Sequence, residues 1–250
     1  MIKVASLQTR DLAAVASLFA EATANYPYRW MLPPQAFRDR VLFDSGEPYA
    51  DLAIDPEGWL VASKGEYTLA FAHCTVGRLV EDDRDVVRGF LRLFVIRPEV
   101  PTEAATALLT AVDGYFRNNK VEQVDAFHIR TGYPCCVAGR GALSNDRFDL
   151  MSALGHAGYK MVDRWLLYEG RTHARVTELL PALPDLRLQI EDSNDGAFDL
   201  HVSQRINPVA SVLIRPLTAV TEGTGTPTAS AQKIVVGEFY RRKGVARWLG

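Results

Sequence analysis

The stretch that decides the fold lies at the end of the sequence and reads Ile234-Val235-Val236-Gly237-Glu238-Phe239-Tyr240-Arg241-Arg242-Lys243-Gly244-Val245-Ala246-Arg247-Trp248-Leu249. It begins with a β-branched apolar run typical of a strand, passes through a basic turn and ends in a helix start. Free N–H groups and the positive end of a helix dipole attract phosphate at such a position. The segment therefore predicts an anion-binding turn between a strand and a helix.

The residues of this turn suit a phosphate ligand. Gly244 and Ala246 keep side chains away from the backbone, so an anion can approach it closely. Arg241, Arg242 and Lys243 add positive charge, and arginine can engage phosphate at two points. A plain solvated basic turn is the alternative interpretation.

The turn resembles the acyl-CoA signature of the GNAT superfamily of acyl-CoA N-acyltransferases, Gln/Arg-x-x-Gly-x-Gly/Ala after a β-strand. Arg241, Gly244 and Ala246 occupy its three specified positions. The resemblance implies that acetyl-CoA is a co-substrate and that its pantetheine arm runs beside the preceding strand. It implies a set of cofactor-binding residues: Val235, Val236, Arg241, Arg242, Lys243, Gly244, Val245 and Ala246.

Upstream of this turn, the chain aligns with itself at an offset of 140 residues without a gap. Residues 59–63 fall on 199–203, residues 69–71 on 209–211, residues 95–96 on 235–236, and residues 107–109 on 247–249. Few residues are identical, but the order of hairpin, strand and helix start is the same. We therefore expect tandem GNAT-like repeats.

The first repeat departs from the family pattern. Pro101, Ala104 and Thr106 stand at the signature positions, and Glu99 and Glu103 would repel phosphate there. In many family members a tyrosine on the later helix protonates the departing CoA thiolate, but the matching position holds Leu154, which cannot donate a proton. We expect a degenerate first copy and a truncated second copy.

The expected fold class is α/β, a mixed twisted sheet of the GNAT type with a second, smaller GNAT-like half-domain. The expected domains are residues 1–171, a linker at 172–184 and a partial repeat at 185–250. The patterns predict a first strand and a helix capped by Asp11, then a hairpin at 59–76 and a strand over 90–96. A helix over 102–118 follows, then a strand over 124–129, a helix over 149–156 and a last strand over 164–169.

Composition excludes several classes of protein. A formal net charge of −2 gives no basic excess for nucleic acid, and no apolar run is long enough to cross a membrane. Cys74, Cys135 and Cys136 form no disulfide framework, which favours a reducing, cytoplasmic compartment. The histidines and cysteines lack metal-ligand spacing, so no metal is expected. A homodimer remains open.

Other candidate residues have plainer explanations. The pair Cys135-Cys136 has no nearby histidine to activate it. His73 and His128, each on a predicted strand, are interpreted as structural. Tyr26, Tyr28, Trp30 and Met31 lie where GNAT proteins often wall the acceptor site, although they fit core packing equally well. Residues 221–230 are predicted to be a flexible loop.

The functional expectation is transfer of an acetyl group from acetyl-CoA to a small-molecule or protein amine. No residue of the sequence stands out as the catalytic acid or base. The alternative is a catalytically inactive CoA-binding or interaction module. A further alternative interprets residues 186–192 and 196–200 as the start of the sterol-carrier-like domain found in some GNAT acetyltransferases, but it leaves the turn at 241–246 unexplained.

Overall fold

The protein is described from a computed structural model, and its chain divides into two compact units. The first unit spans Met1–Trp165 and the second spans Leu166–Gly250. The structure describes residues 1–26, 32–43, 50–53, 55–79, 86–97, 100, 102–133, 137–164, 181, 183–192 and 196–249.

The elements of the first unit are β1 (Lys3–Ser6), α1 (Leu12–Ala22), α2 (Pro34–Phe37), β2 (Ala50–Ala53), β3 (Trp59–Lys64), β4 (Tyr67–Leu79), β5 (Arg88–Ile96), α3 (Thr102–Asn118), β6 (Val124–Ala126) and α4 (Phe148–His156). A π-helical turn at Arg38–Leu42 follows α2. The elements of the second unit are β7 (Leu186–Asp192), β8 (Phe198–Gln204), β9 (Asn207–Pro216), α5 (Thr218–Thr224), β10 (Ala229–Val236) and α6 (Val245–Leu249).

The first unit is built on one mixed sheet in the order β1-β3-β4-β5-β6, with β2 paired to the far half of β4. All its pairings are antiparallel except that of β5 with β6, which is parallel. Helix α3 provides the crossover that a parallel pair requires. The predicted mixed α/β fold, with parallel strands around residues 90–96 and 124–126, is confirmed.

Both faces of this sheet are buried. Helix α3 and helix α4 cover one face, where Ala62, Ala72, Leu91 and Phe94 pack against the apolar side of α3. On the other face α1, α2 and the π-helical turn pack on Trp59, Val61, Phe71, Leu93 and Val95. Two covered faces explain why β4 and β5 are apolar along nearly their whole length.

Strands β5 and β6 stay paired over three residues only. The register runs from Gly89↔Val124 to Leu91↔Ala126, and the Phe127 amide still donates to the Leu91 carbonyl at 2.9 Å. Phe127 then adopts a positive φ of 54° and the two chains part. The predicted strand over 124–129 therefore ends at Ala126, and the prediction that His128 lies on a strand is wrong.

The second unit is a four-stranded antiparallel sheet in the order β10-β9-β8-β7. Two of its three strand pairings repeat those of the first sheet with 140 added to each residue number. All six residue pairs between β3 and β4 recur between β8 and β9. The pair Trp59↔His73 corresponds to Asp199↔Leu213, and the pair Lys64↔Tyr67 corresponds to Gln204↔Asn207. Seven of the eight β4–β5 pairs recur between β9 and β10.

Irregularities recur at the same offset. The register shift between His73 and Cys74 leaves Arg92 as the extra residue of β5, and the matching shift leaves Gln232 extra in β10. The hairpin turns have positive φ at Gly65 and at Arg205. The Arg97 amide donates to the Leu69 carbonyl as the Gly237 amide donates to the Val209 carbonyl.

The second sheet differs from the first in how its faces are covered. Alternation in β8 places Leu200 and Val202 on one face, and Asp199 and His201 on the other. The polar face suits contact with water. The apolar face packs against α6 around Val202, Val209, Ala210 and Val245.

Several sequence predictions fail or fall outside the described residues. The Asp11 side chain does not cap α1; its carboxylate accepts from the Gln8 amide in the preceding turn. The predicted loop at 221–230 contains the end of α5 and the start of β10, and β2 was not predicted. Arg164 is not in a strand, and the rest of the strand predicted over 164–169 lies outside the described residues, as does most of the linker.

Candidate functional site

The basic turn predicted to bind phosphate joins β10 to α6. A short 3-10 helix, Glu238–Tyr240, follows the strand, and Arg241 is extended with φ −62° and ψ 150°. Arg242 and Gly244 then adopt positive φ values of 63° and 82°. This tight turn reverses the chain into α6, and glycine tolerates such a φ without strain.

The cationic side chains of the turn are exposed. The Arg241 Nε donates to the Val236 carbonyl at 3.4 Å, and the Lys243 Nζ lies 5.5 Å from the centre of the Tyr240 ring. No atom lies within 4 Å of the position a Gly244 Cβ would take, so the backbone there is accessible. Val245 is buried against the sheet and anchors α6.

Strand β10 forms an edge of the second sheet. Val235 is 45% exposed and Val236 is half-buried. Among the described residues, no strand pairs with the outer side of β10, so its backbone groups can bind an extended ligand. The structure thus brings together all eight residues that the resemblance implies for cofactor binding, and their chemistry fits an acyl-CoA.

Helix α6 follows the turn directly and is described over Val245–Leu249. The exposed cationic side chains of the turn would attract phosphate.

The first unit holds a buried arginine in β5, the strand that matches β10. The side chain of Arg92, the extra residue of β5, is 2% exposed. Its Nε donates to the Thr131 carbonyl at 2.8 Å and a terminal nitrogen donates to the Gly132 carbonyl at 3.1 Å. Its guanidinium carbon also lies 4.4 Å from the centre of the Tyr133 ring, within cation–π range.

We call the segment that receives Arg92 the strap, meaning residues 127–133 and 137–142. Its two parts, 127–133 and 137–142, are in close backbone contact. A Cβ on Gly132 would overlap the Arg140 carbonyl carbon, and a Cβ on Gly141 would overlap the His128 carbonyl oxygen. The Gly141 amide donates to the Ile129 carbonyl at 3.1 Å. These contacts join the two parts of the strap to each other.

Tyr133 ties the strap to β4. Its hydroxyl is 2.7 Å from the His73 Nδ1, and the two rings are stacked with centres 6.0 Å apart. Burial, and secondarily the Arg92 charge, holds the pKa of His73 well below its ordinary value, so the imidazole is neutral at pH 7. The interpretation of His73 as structural agrees with this environment.

A cavity of about 20 Å³ lies between the strap and the end of α1, lined by Thr23, Tyr26, Arg92, Leu93, Tyr133 and Arg140 among others. It has room for about one water molecule. An acyl-pantetheine arm does not fit in this space.

The proton-donor position of the first unit is also apolar. Leu154 on α4 is 7% exposed and packs into the core beneath α3. Burial raises the pKa of the Tyr159 hydroxyl, and the Tyr159 amide donates to the Leu154 carbonyl at 3.0 Å. Leu154 has no proton to donate, and burial makes the Tyr159 hydroxyl a weaker acid than an exposed tyrosine.

Sequence reasoning missed Arg92 and the strap. A signal was present, since Arg92 is a lone charge inside the apolar run Phe90–Ile96, and a buried guanidinium must find acceptors. Burial raises the pKa of the Cys74 thiol, which makes it inert. Cys135, Cys136, Tyr28, Trp30, Met31, Glu99 and Pro101 lie outside the described residues. Within the described ranges there is no cluster of metal-ligating side chains and no helix long and apolar enough to cross a membrane.

Neither a protein-family model nor a curated protein matches the chain. Solved structures do. The aminoglycoside N-acetyltransferase AAC(6')-Iy in complex with CoA is 14% identical with a TM-score of 0.45, and the match covers 68% of this chain and 95% of that chain. An aminoglycoside 6'-N-acetyltransferase of Acinetobacter haemolyticus is 11% identical with a TM-score of 0.43, covering 68% and 98%.

A transcriptional regulator from Bacillus halodurans C-125 is similar to the same degree, at 11% identity and a TM-score of 0.45, with 68% of this chain and 100% of that chain covered. At these identities and TM-scores the likeness does not extend to substrates or site residues. The function of this chain has to be inferred from its own residues.

Proposed function

We propose that the protein is an acyl-CoA N-acyltransferase of the GNAT type that transfers an acetyl group from acetyl-CoA to an amine. The observation that carries the proposal is the turn Arg241–Ala246. Three exposed cations and an accessible glycine backbone follow directly on an edge strand. The parallel β5–β6 pair with its α3 crossover in the first unit is consistent with the same family.

The residues of the second unit would divide the work of holding the cofactor. Arg241, Arg242 and Lys243 would neutralise the pyrophosphate, and Gly244 would let it approach the backbone. The outer edge of β10 at Val235 and Val236 would pair with the pantetheine amides. When bound, the cofactor would supply an activated thioester to an amine acceptor, whose identity no residue here specifies.

We further propose that residues 185–250 are a partial second copy of the first domain. The support is the 140-residue offset shared by the residue pairs, both register shifts and the hairpin turns. Chance similarity of apolar runs would not reproduce an extra residue at the same place in two pairs of strands.

The test of CoA binding is calorimetric titration of CoA into the wild type, the Arg241→Glu/Arg242→Glu double variant and Gly244→Asp. A charge-assisted phosphate contact contributes about 1.5–3 kcal/mol, so the double variant should bind about 100-fold more weakly or worse. Arg187→Glu is the control, because Arg187 is an exposed arginine on β7 of the same unit. Undiminished affinity in both turn variants would remove this turn as the cofactor site.

A second candidate function is a non-catalytic CoA-binding module. It is favoured by Leu154, which is buried where an acid would be needed. Release of free CoA thiol from acetyl-CoA, measured with a panel of small amines and lysine peptides, separates the two. Turnover above the buffer rate supports the enzyme, and CoA binding without turnover supports the module.

A further inference from the structure

We infer that the first unit has replaced the cofactor by its own chain, with the strap filling the opening between β5 and β6 and Arg92 anchoring it, so that the whole chain binds one CoA rather than two. The part of the inference that concerns CoA rests on the proposed function. The anchoring of the strap is tested independently of CoA.

The place that the strap fills is defined by the sheet itself. Strands β5 and β6 separate after Leu91 and Ala126, immediately before the extra residue Arg92. In an ordinary parallel pair the next carbonyls and amides of the two strands would bond to each other. Here the Arg92 guanidinium spans the gap instead and donates to the Thr131 and Gly132 carbonyls.

Arg92 is well suited to this role. Its fork of N–H donors matches two successive carbonyls, whereas an apolar residue would leave both carbonyls without a bond in the core. Thr131 is completely buried and Tyr133 is 3% exposed, so the part of the strap that receives Arg92 is buried. The backbone is strained at the first residue of each part of the strap, with a φ of 54° at Phe127 and of 51° at Val137.

The second unit supplies the internal comparison. At the position of Arg92 it has Gln232, again as the extra residue of an otherwise regular pair. Beyond β10 the chain turns at once into the basic turn and α6. Among the described residues, the outer edge of β10 has no strand paired to it.

The strap is tested by hydrogen exchange of the full chain, read by mass spectrometry. Arg92→Met should raise exchange in peptides over residues 127–133 by about tenfold or more, because the strap opens locally, while α3 peptides change less than about twofold. Arg88→Met is the matched control, since Arg88 lies on the same strand but pairs with Asp125 at 3.2 Å. Its strap exchange should stay at the wild-type rate.

A second variant covers the case in which Arg92→Met does not fold. Tyr133→Phe keeps the ring under the guanidinium but removes the bond to His73, and should raise strap exchange about fivefold, as for the loss of about 1 kcal/mol. If neither variant changes the strap selectively, or if strap and α3 exchange rise together, the anchoring role of Arg92 is wrong.

A second experiment measures how many CoA molecules bind to one wild-type chain and where CoA slows hydrogen exchange. One CoA per chain is expected, with exchange slowed over residues 229–249 and unchanged over residues 88–96 and 127–142. Two CoA per chain, or slowed exchange in β5 and the strap, overturns the inference. If CoA slows exchange nowhere, the proposed function is wrong. Hydrogen exchange of the Arg92→Met and Tyr133→Phe variants still decides whether Arg92 anchors the strap.

Discussion

Two glycines of the first unit differ sharply in their surroundings. A Cβ on Gly141 would overlap the His128 carbonyl oxygen, whereas a Cβ on Gly155 in α4 would meet nothing within 4 Å. The Gly141→Ala variant should therefore lose about 2–3 kcal/mol of unfolding free energy, because the two parts of the strap must separate. The measurement is urea denaturation followed by tryptophan fluorescence.

The control for this prediction is Gly155→Ala. Alanine costs less chain entropy in a helix than glycine, so this variant should gain about 0.5–1 kcal/mol. Equal effects of the two substitutions would mean that the close approach within the strap is not rigid.

His73 makes stability depend on pH. Its pKa in the folded protein is lowered by burial, with a smaller effect of Arg92, below the ordinary value of 6.5. The unfolded chain therefore binds a proton that the folded chain does not, and stability is lost as pH falls below about 6.5. The slope contributed by one such group approaches about 1.4 kcal/mol per pH unit.

Urea denaturation at pH 7.5, 6.5 and 5.5 measures this slope in the wild type and in His73→Gln. The variant should be less stable at pH 7.5, because its packing against Tyr133 is altered. Its unfolding free energy should depend less on pH between 7.5 and 5.5. An unchanged slope in His73→Gln would assign the titration to another group.

At the scale of elements, the two β-hairpins make the same turn with different residues. Gly65 has a φ of 63° and Arg205, its counterpart in the second unit, has a φ of 57°. A non-glycine residue is disfavoured in this conformation by about 1–2 kcal/mol. The ion pair of Arg205 with Asp185 at 3.6 Å is exposed and adds little.

We therefore expect Arg205→Gly to slow hydrogen exchange of the β8–β9 hairpin by about two- to fivefold, and Gly65→Arg to speed exchange of the β3–β4 hairpin. The pair of substitutions exchanges the turn residues of the two hairpins. If both substitutions slowed hydrogen exchange of their hairpins, or both sped it, the two turns would not be equivalent.

Helix α3 and strands β3 to β5 were predicted from the sequence because their apolar spacing is regular over many residues. The β10 turn was also found, since its glycine and its cations are adjacent in the chain. Strand β6 was predicted too long, because apolar residues at 127 and 129 look like a continuing strand while Phe127 in fact turns. The partners of Arg92 lie about 40 residues away, so no local pattern could identify the strap.

The two units differ in how much core supports them. The first unit buries a cluster on each face of its sheet, while the buried cluster of the second consists of Val202, Val209, Ala210 and Val245. On the apolar face of the second sheet, Leu188 is 50% and Ile190 is 60% exposed. Because stability rises with buried apolar area, the second unit should unfold first.

Calorimetry of the full chain should accordingly show two transitions, the lower one belonging to the second unit. CoA at about 100 times its dissociation constant stabilises the state that binds it by about 2.7 kcal/mol. For a unit of this size the lower transition should rise by about 10 °C, and the upper one should not move. The Arg241→Glu/Arg242→Glu variant should keep both transitions and lose the shift, because its substitutions are exposed and lie outside both cores. A shift of the upper transition would place the cofactor in the first unit and would contradict the proposed site at the turn.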